Sequence, residues 1–262
     1  MRKLILVFTL GIISYGSLVS ADITTTKSNG ITQLQQLAEQ GNDKAQYELG
    51  EKYFRGQEIS QDFKQAVVWY LKSAELGNAD AQFRLATMYV NGFGVRRDYY
   101  RAIEWYQRAA IQQHVRAQSN MATMYAHGLG VKRNLPEAAY WYEQASKGGY
   151  ALAQFNLGLM YSIGNGVIKD YKKAVYWFKH SAKQGYAKAQ DRLGVMYAEG
   201  HGVNKDNKMA YAWLATAACN GNKESQKFHD KIGKLFSDKE MKAAQALAER
   251  YIKKYPIQID KK

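Results

Sequence analysis

Five histidines, one cysteine and a recurring Gly-x-Gly are the residues of this 262-residue chain with an evident capacity for chemistry. His114, His127, His180, His201 and His229 never stand three or four residues from one another or from Cys219. No helical face therefore carries the paired ligands that a zinc or similar site needs. Each histidine is read as a surface residue, and neither a metal nor a cofactor is expected. Cys219, alone in the sequence, excludes an internal disulfide framework, and its setting in Ala217-Ala-Cys-Asn220 reads as a buried, inert thiol. Gly92-Phe-Gly94, Gly128-Leu-Gly130, Gly164-Asn-Gly166 and Gly200-His-Gly202 invite a phosphate-loop reading. No strand-like run precedes any of them, and they recur at a fixed interval, so they read as turns. No Gly-x-Ser-x-Gly elbow and no local Cys-His arrangement is present, and no catalytic residue is assigned.

Binding chemistry is better represented. Tyr47, Phe83, Phe155 and Leu159 are large apolar side chains, with Arg84, Arg116, Asn120, Asn156 and Arg192 close to them in sequence or in repeat register. Apolar anchors with a polar rim are the composition of a protein-binding surface. A second pattern is the basic doublet after each turn, Arg96-Arg97 and Lys132-Arg133, fading to Lys169 and Lys205. A row of such cations suits an acidic protein or anionic envelope material.

Both patterns depend on the elements that position them. Trp69, Trp105, Trp141, Trp177 and Trp213 are spaced by 36 residues, as are Tyr53, Tyr89, Tyr125, Tyr161 and Tyr197. The same step carries the Ala-Gln pairs that start at Ala45, Ala81, Ala117, Ala153 and Ala189. A fixed period of this size means stacked supersecondary units. Within a unit, Ala81, Leu85, Met88 and Tyr89 fall at helical spacing and predict a first helix, A, that ends at the glycine turn. Asp62, Asp98, Asn134, Asp170 and Asp206 then stand where a second helix, B, needs its N-cap, and Pro136 falls in the first turn of its helix. Helix B carries Ala102, Trp105, Tyr106, Ala109 and Ala110 and ends before a glycine in most copies (Gly77, Gly149, Gly185, Gly221); Gln113 departs from that rule. The tryptophans are expected to fill the space between units, since no isolated helix pair can bury its own stripe. The fold class is all-α, an α/α superhelical solenoid.

The organisation expected along the chain is a signal peptide at 1–21, an N-terminal linker and the start of a capping helix at 22–40, and repeats at 41–76, 77–112, 113–148, 149–184 and 185–220. A partial sixth repeat follows at 221–236, then a capping helix and tail at 237–262, opened by the capping box Ser237-Asp-Lys-Glu240. The signal rests on Arg2 and Lys3, an apolar run over 4–13 and small residues up to Ala21. It implies export, with the periplasm as the first compartment and the cell surface or medium left open. With 37 Lys and Arg against 23 Asp and Glu the net charge is +14, yet no nucleic-acid-reading motif appears, and nucleic acid is excluded as a partner. No later run is apolar enough for stable membrane insertion.

Residues Ala79–Ala110, with Ala-x-Ala-Gln-x-x-Leu, Gly-x-Gly-Val and Asp-x-x-x-Ala-x-x-Trp-Tyr-x-x-Ala-Ala, resemble the Sel1-like repeat, a relative of the tetratricopeptide repeat. The resemblance implies a non-enzymatic adaptor that binds a protein partner in a concave groove lined by helix A. Positions two, six and nine after the repeated alanine would face that groove. A host factor, or a toxin neutralised by an immunity protein, fits such a role. An envelope-binding protein using the basic edge is the alternative. An enzyme acting on cell-wall or β-lactam substrates is the least supported class, because the paired cysteines of the β-lactamase-like members are missing.

Overall fold

The computed structural model describes residues 30–257, so the expected signal peptide lies outside the described residues. Helices and the turns between them make up the described chain, with no strand among the described residues. A helix over 30–39 is α1. It is followed by α2 (Asp43–Arg55), α3 (Phe63–Glu75), α4 (Ala79–Asn91), α5 (Tyr99–Ile111), α6 (Val115–His127) and α7 (Leu135–Lys147). Then come α8 (Ala151–Ile163), α9 (Tyr171–Lys183), α10 (Ala187–Glu199), α11 (Asn207–Cys219), α12 (Lys223–Gly233) and α13 (Asp238–Lys254). Two compact units divide after Asn78: the first holds α1–α3, the second α4–α13.

Each helix from α2 to α11 is 13 residues long, about 20 Å, because the same start and stop signals recur every 36 residues. The B helices start where expected. Asp62, Asp98, Asn134, Asp170 and Asp206 all accept backbone N–H groups of the following turn through their side chains. Their own N–H groups return to the carbonyls of Tyr53, Tyr89, Tyr125, Tyr161 and Tyr197, closing each long turn. The periodic tyrosine thus fixes the turn through its backbone as well as its ring.

In the first unit, the Gln46 amide donates to the Ala38 carbonyl at 3.0 Å and fastens α2 to α1. Tyr70 is fully buried, and its ring lies so close to Gly50 that a Cβ there would strike it. The second unit repeats the same lock. Gln118, Gln154 and Gln190 are buried and donate to the carbonyls of Ala110, Ser146 and Ala182, the closing turn of the preceding B helix. A buried amide can be kept only with such partners, which is why the Ala-Gln pair recurs.

A second joint is made of backbone alone. A Cβ on Gly130 would strike the Tyr99 carbonyl; one on Gly166 would lie 2.6 Å from that of Leu135; one on Gly202 would strike that of Tyr171. In these three turns the second glycine therefore rests against the start of the B helix one repeat earlier. Its φ of +68° to +77° is also left-handed, so two separate constraints demand glycine there.

The tryptophans correct one expectation. Only Trp213 is fully buried, at 1% exposure, because α13 lays Tyr251 and Tyr255 over it at 4.8 and 5.2 Å. Trp69, Trp105, Trp141 and Trp177 are half-buried. Lys72 and Arg108 cover the rings of Trp69 and Trp105 from the solvent side. The space between paired helices is filled by the next residue in sequence, Tyr70, Tyr106, Tyr142, Phe178 and Leu214, all buried. Cys219 is a further correction. It is exposed, since it occupies the last position of α11, where the other copies hold exposed Glu75, Ile111, Lys147 and Lys183.

At the C-terminal end, α13 opens as expected, with the Glu240 carboxylate accepting from the N–H and hydroxyl of Ser237. Its exit is tied down. Gln190 and Asn220 donate to the Tyr255 carbonyl, and the Ile257 N–H donates to Asn220.

Candidate partner-binding face

The helix-A positions two and six after the repeated alanine, both expected to face a groove, differ in kind. Those six residues after the repeated alanine are committed internally. In the first unit the Tyr70 hydroxyl donates to Glu51 at 2.7 Å. In the second, Tyr106 is bonded to Thr87 (3.1 Å) and Tyr142 to Thr123 (2.9 Å). Where helix B has lost the hydroxyl, at Phe178 and Leu214, the same positions become apolar: Leu159 and Val195. Leu159 packs against the core that contains Phe178 and is no exposed anchor. Burial pushes the Tyr106 and Tyr142 hydroxyls above the ordinary tyrosine range, with their hydrogen bonds opposing it. Both stay neutral.

The positions two after the alanine vary with what covers them. Tyr47, in the first unit, is half-buried with its ring 5.9 Å from that of Tyr70. Phe83 is half-buried; His114 stacks on it at 4.7 Å and 23°. Phe155 corrects its expectation: it is only 8% exposed, pressed between Phe178 at 5.9 Å and Tyr186 at 5.2 Å. It supports the face from beneath and shows only a small part of its ring, in the wall of a cleft at the start of α10.

The next positions supply the polar surface. Arg84 is half-buried, whereas Arg116 and Arg192 are exposed. Asn120 donates to the Tyr106 hydroxyl at 2.9 Å, and Asn156 is bonded to that of Tyr142, so each bridges one repeat to the next. Beside Asn120 a cavity of about 170 Å³ opens between α4 and α6, lined by Val90, Tyr99, Tyr106, Thr123, Met124 and Leu129. It is the size of one leucine or phenylalanine side chain, and its walls are mostly apolar. A wider cleft of about 730 Å³ lies at the starts of α10 and α12, between Lys188, Arg192 and Lys223 on one hand and Asp191 and Glu224 on the other. Asp191 already accepts from the Ser225 hydroxyl at 2.6 Å, which leaves the cations in excess there.

His114 is a functional part of the fold that its sequence context hid. It is half-buried, its Nδ1 accepts from the Ala117 N–H as the cap of α6, and its Nε2 lies 3.2 Å from Asp80. Burial holds its pKa below the ordinary histidine value despite Asp80. The signal was present in the register: Asn42, Asn78, His114, Tyr150, Tyr186 and Asn222 share one position, and asparagine is a capping residue.

The five units match the family model of the Sel1 repeat at residues 43–78, 79–114, 115–150, 151–186 and 187–222. The chain belongs to the Sel1 repeat family. A solved Sel1 repeat protein from Oxalobacter formigenes is 37% identical over 80% of this chain and 86% of its own, with a TM-score of 0.68. A second structure, a protective antigen of uropathogenic Escherichia coli strains with the same type of fold, is 28% identical with a TM-score of 0.58. It spans 89% of this chain, but only 60% of that longer chain is matched. A comparison of the sequence with curated proteins gives no match. The Sel1 repeat fold typically serves protein–protein interaction, and the all-α solenoid expected from the 36-residue period is the architecture found.

Among the described residues of this Sel1 repeat protein no three His, Cys, Asp or Glu side chains stand together as a metal site would require. No helix there is long and apolar enough to cross a membrane. Of the residues expected on a basic edge, Arg96, Arg97, Lys132 and Arg133 are all exposed. Arg133 also donates from Nε to the Ala126 carbonyl at 3.1 Å, satisfying the end of α6.

Proposed function

We propose that this protein is a non-catalytic adaptor that holds a segment of a partner protein along the helix-A face of its second unit. The cavity between α4 and α6 carries this reading, because it is a side-chain-sized recess walled by Tyr106, Asn120 and Thr123, whose polar groups are already hydrogen-bonded. A partner segment would place one apolar side chain there, above Tyr106 and Met124. Arg116 and Arg192 would meet its acidic groups, and Phe83, Arg84, Asn120, Asn156 and Leu159 would form the floor. Each tyrosine hydroxyl under this face is already hydrogen-bonded, so the floor is stiff and little ordering is lost on binding.

Export supports a partner outside the cytoplasm. The residue order at the N-terminus is that of a secretory signal, and the uropathogenic relative is described as a protective antigen. The periplasm or cell exterior is therefore the proposed place of action. An extracytoplasmic partner with an acidic, apolar-anchored segment could be a host factor or a toxin.

A photo-crosslinking side chain at Thr123, beside the cavity, should trap a discrete partner in the native cell, and the same group at Trp105, on the outer side of α5, should not. Filling the cavity with Asn120→Trp should abolish the crosslink while the circular dichroism spectrum is kept. Equal crosslinking at both positions would defeat the proposal.

A further inference from the structure

The long turns of the second unit form an edge, because Gly130, Gly166 and Gly202 each rest on the start of the preceding B helix. Along this edge Arg96, Arg97, Lys132, Arg133, Lys169 and Lys205 are all exposed. The acidic groups beside them are held locally, Glu199 against His201 at 2.9 Å among them. Asp98, Asp170 and Asp206 accept backbone N–H groups as caps, and Glu137 accepts from the Trp141 indole. Aromatic faces hold two of the cations outward: Arg97 lies over Tyr99 at 5.6 Å and Lys169 over Tyr171 at 4.6 Å.

The same edge exposes apolar side chains. Ile168 follows a Gly-x-Gly-Val turn, where two other copies carry Arg96 and Lys132, and is 90% exposed; Ile163, at the end of α8, is 67% exposed. Tyr100, in the first turn of α5, is 73% exposed. The cations alone would suit an acidic protein surface; isoleucines as exposed as Ile163 and Ile168 among them favour a lipid interface. A bilayer with anionic headgroups accepts both at once, cations at the phosphates and short apolar side chains at the acyl boundary. We infer that this loop edge docks on an anionic lipid surface, peripherally and without a spanning segment. The inference does not rest on the partner proposed above, although Tyr99 and Leu129 belong to this edge and also line the cavity.

Co-sedimentation of the purified protein with phosphatidylglycerol vesicles and with phosphatidylcholine vesicles tests it. Binding should be strong on the first, weak on the second and lost at high salt. Each basic side chain near such a surface contributes roughly fivefold in affinity, so Arg96, Lys132, Lys169 and Lys205 changed together to serine should lower it by some hundreds-fold. Ile163→Ser with Ile168→Ser should lower it about tenfold and leave the salt dependence unchanged. Asn120→Trp should bind vesicles as the native protein does. Equal binding to both lipids, or native binding by the four-serine variant, overturns the inference. Native vesicle binding by the two-isoleucine variant, with soluble polyglutamate competing fully, overturns it in favour of an acidic protein.

Discussion

Gln190→Leu should destabilise the second unit far more than Gln118→Leu, although both remove a buried amide of the same repeat position. Gln190 is fully buried and makes three hydrogen bonds. It donates to the Ala182 carbonyl at 3.0 Å and to the Tyr255 carbonyl at 3.1 Å, and accepts from Asn220 at 2.8 Å. Gln118 donates to the Ala110 carbonyl at 3.0 Å, and the residue equivalent to Asn220 is Gly148, which has no side chain to offer. Leucine nearly preserves the volume, so the packing contribution cancels between the two variants. At about 1 kcal/mol per bond, the losses are about 3 kcal/mol at Gln190 and about 1 kcal/mol at Gln118. Urea denaturation followed by circular dichroism measures both. Hydrogen exchange adds a local readout, because the Ile257 N–H is held by Asn220, whose side chain also bonds Gln190. Exchange there should accelerate in Gln190→Leu and stay native in Gln118→Leu. Equal losses in the two variants, or an unchanged Ile257, would show that the amide ladder adds nothing beyond packing.

Tyr142→Ala should cost about 3–5 kcal/mol, as deletion of a buried aromatic does, whereas half-buried Trp141→Ala should cost clearly less; thermal melting of the pair ranks them. Gln113 holds φ +64° where Gly41, Gly77, Gly149, Gly185 and Gly221 stand in other copies. A side chain there costs about 1–2 kcal/mol, and glycine returns about half of that as freedom of the unfolded chain. Gln113→Gly should therefore raise the urea midpoint, by about 0.5–1 kcal/mol in stability. For His114 the folded pKa is depressed from 6.5, by burial first, with Asp80 opposing and Arg116 assisting. Its contribution is thus present above the unfolded value and is lost as pH falls through the folded one. His114→Asn keeps a cap and removes the titration, so the native protein should weaken relative to that variant below about pH 6.5, in paired denaturation curves.

The helices and their caps were legible because they depend on local signals repeated every 36 residues, each read without knowing what lies opposite. Coverage was not legible in the same way. Whether Phe83 or Phe155 is exposed depends on the residue 31 positions later, His114 or Tyr186, and a stripe drawn on one helix does not include it. The tryptophans misled for a related reason. Their size suggested the centre, but the inward direction of helix B passes through Tyr106 and Tyr142, and the indoles lie at its flank. The sequence does carry one clue to coverage: Glu51, Thr87 and Thr123 accompany Tyr70, Tyr106 and Tyr142, while Leu159 and Val195 accompany Phe178 and Leu214. That concerted exchange marks which residues touch.

The backbone joint at Gly130, Gly166 and Gly202 has a consequence for how such a chain can change over generations. Because the contact involves a main-chain carbonyl and a missing side chain, it does not care which repeat stands on either side. Duplication or loss of a whole 36-residue segment leaves every surviving seam chemically unchanged. Insertion of a single residue inside a turn would shift its glycine out of place and open that seam. Length in this lineage is therefore free to vary in steps, and the step size is written into the seams themselves.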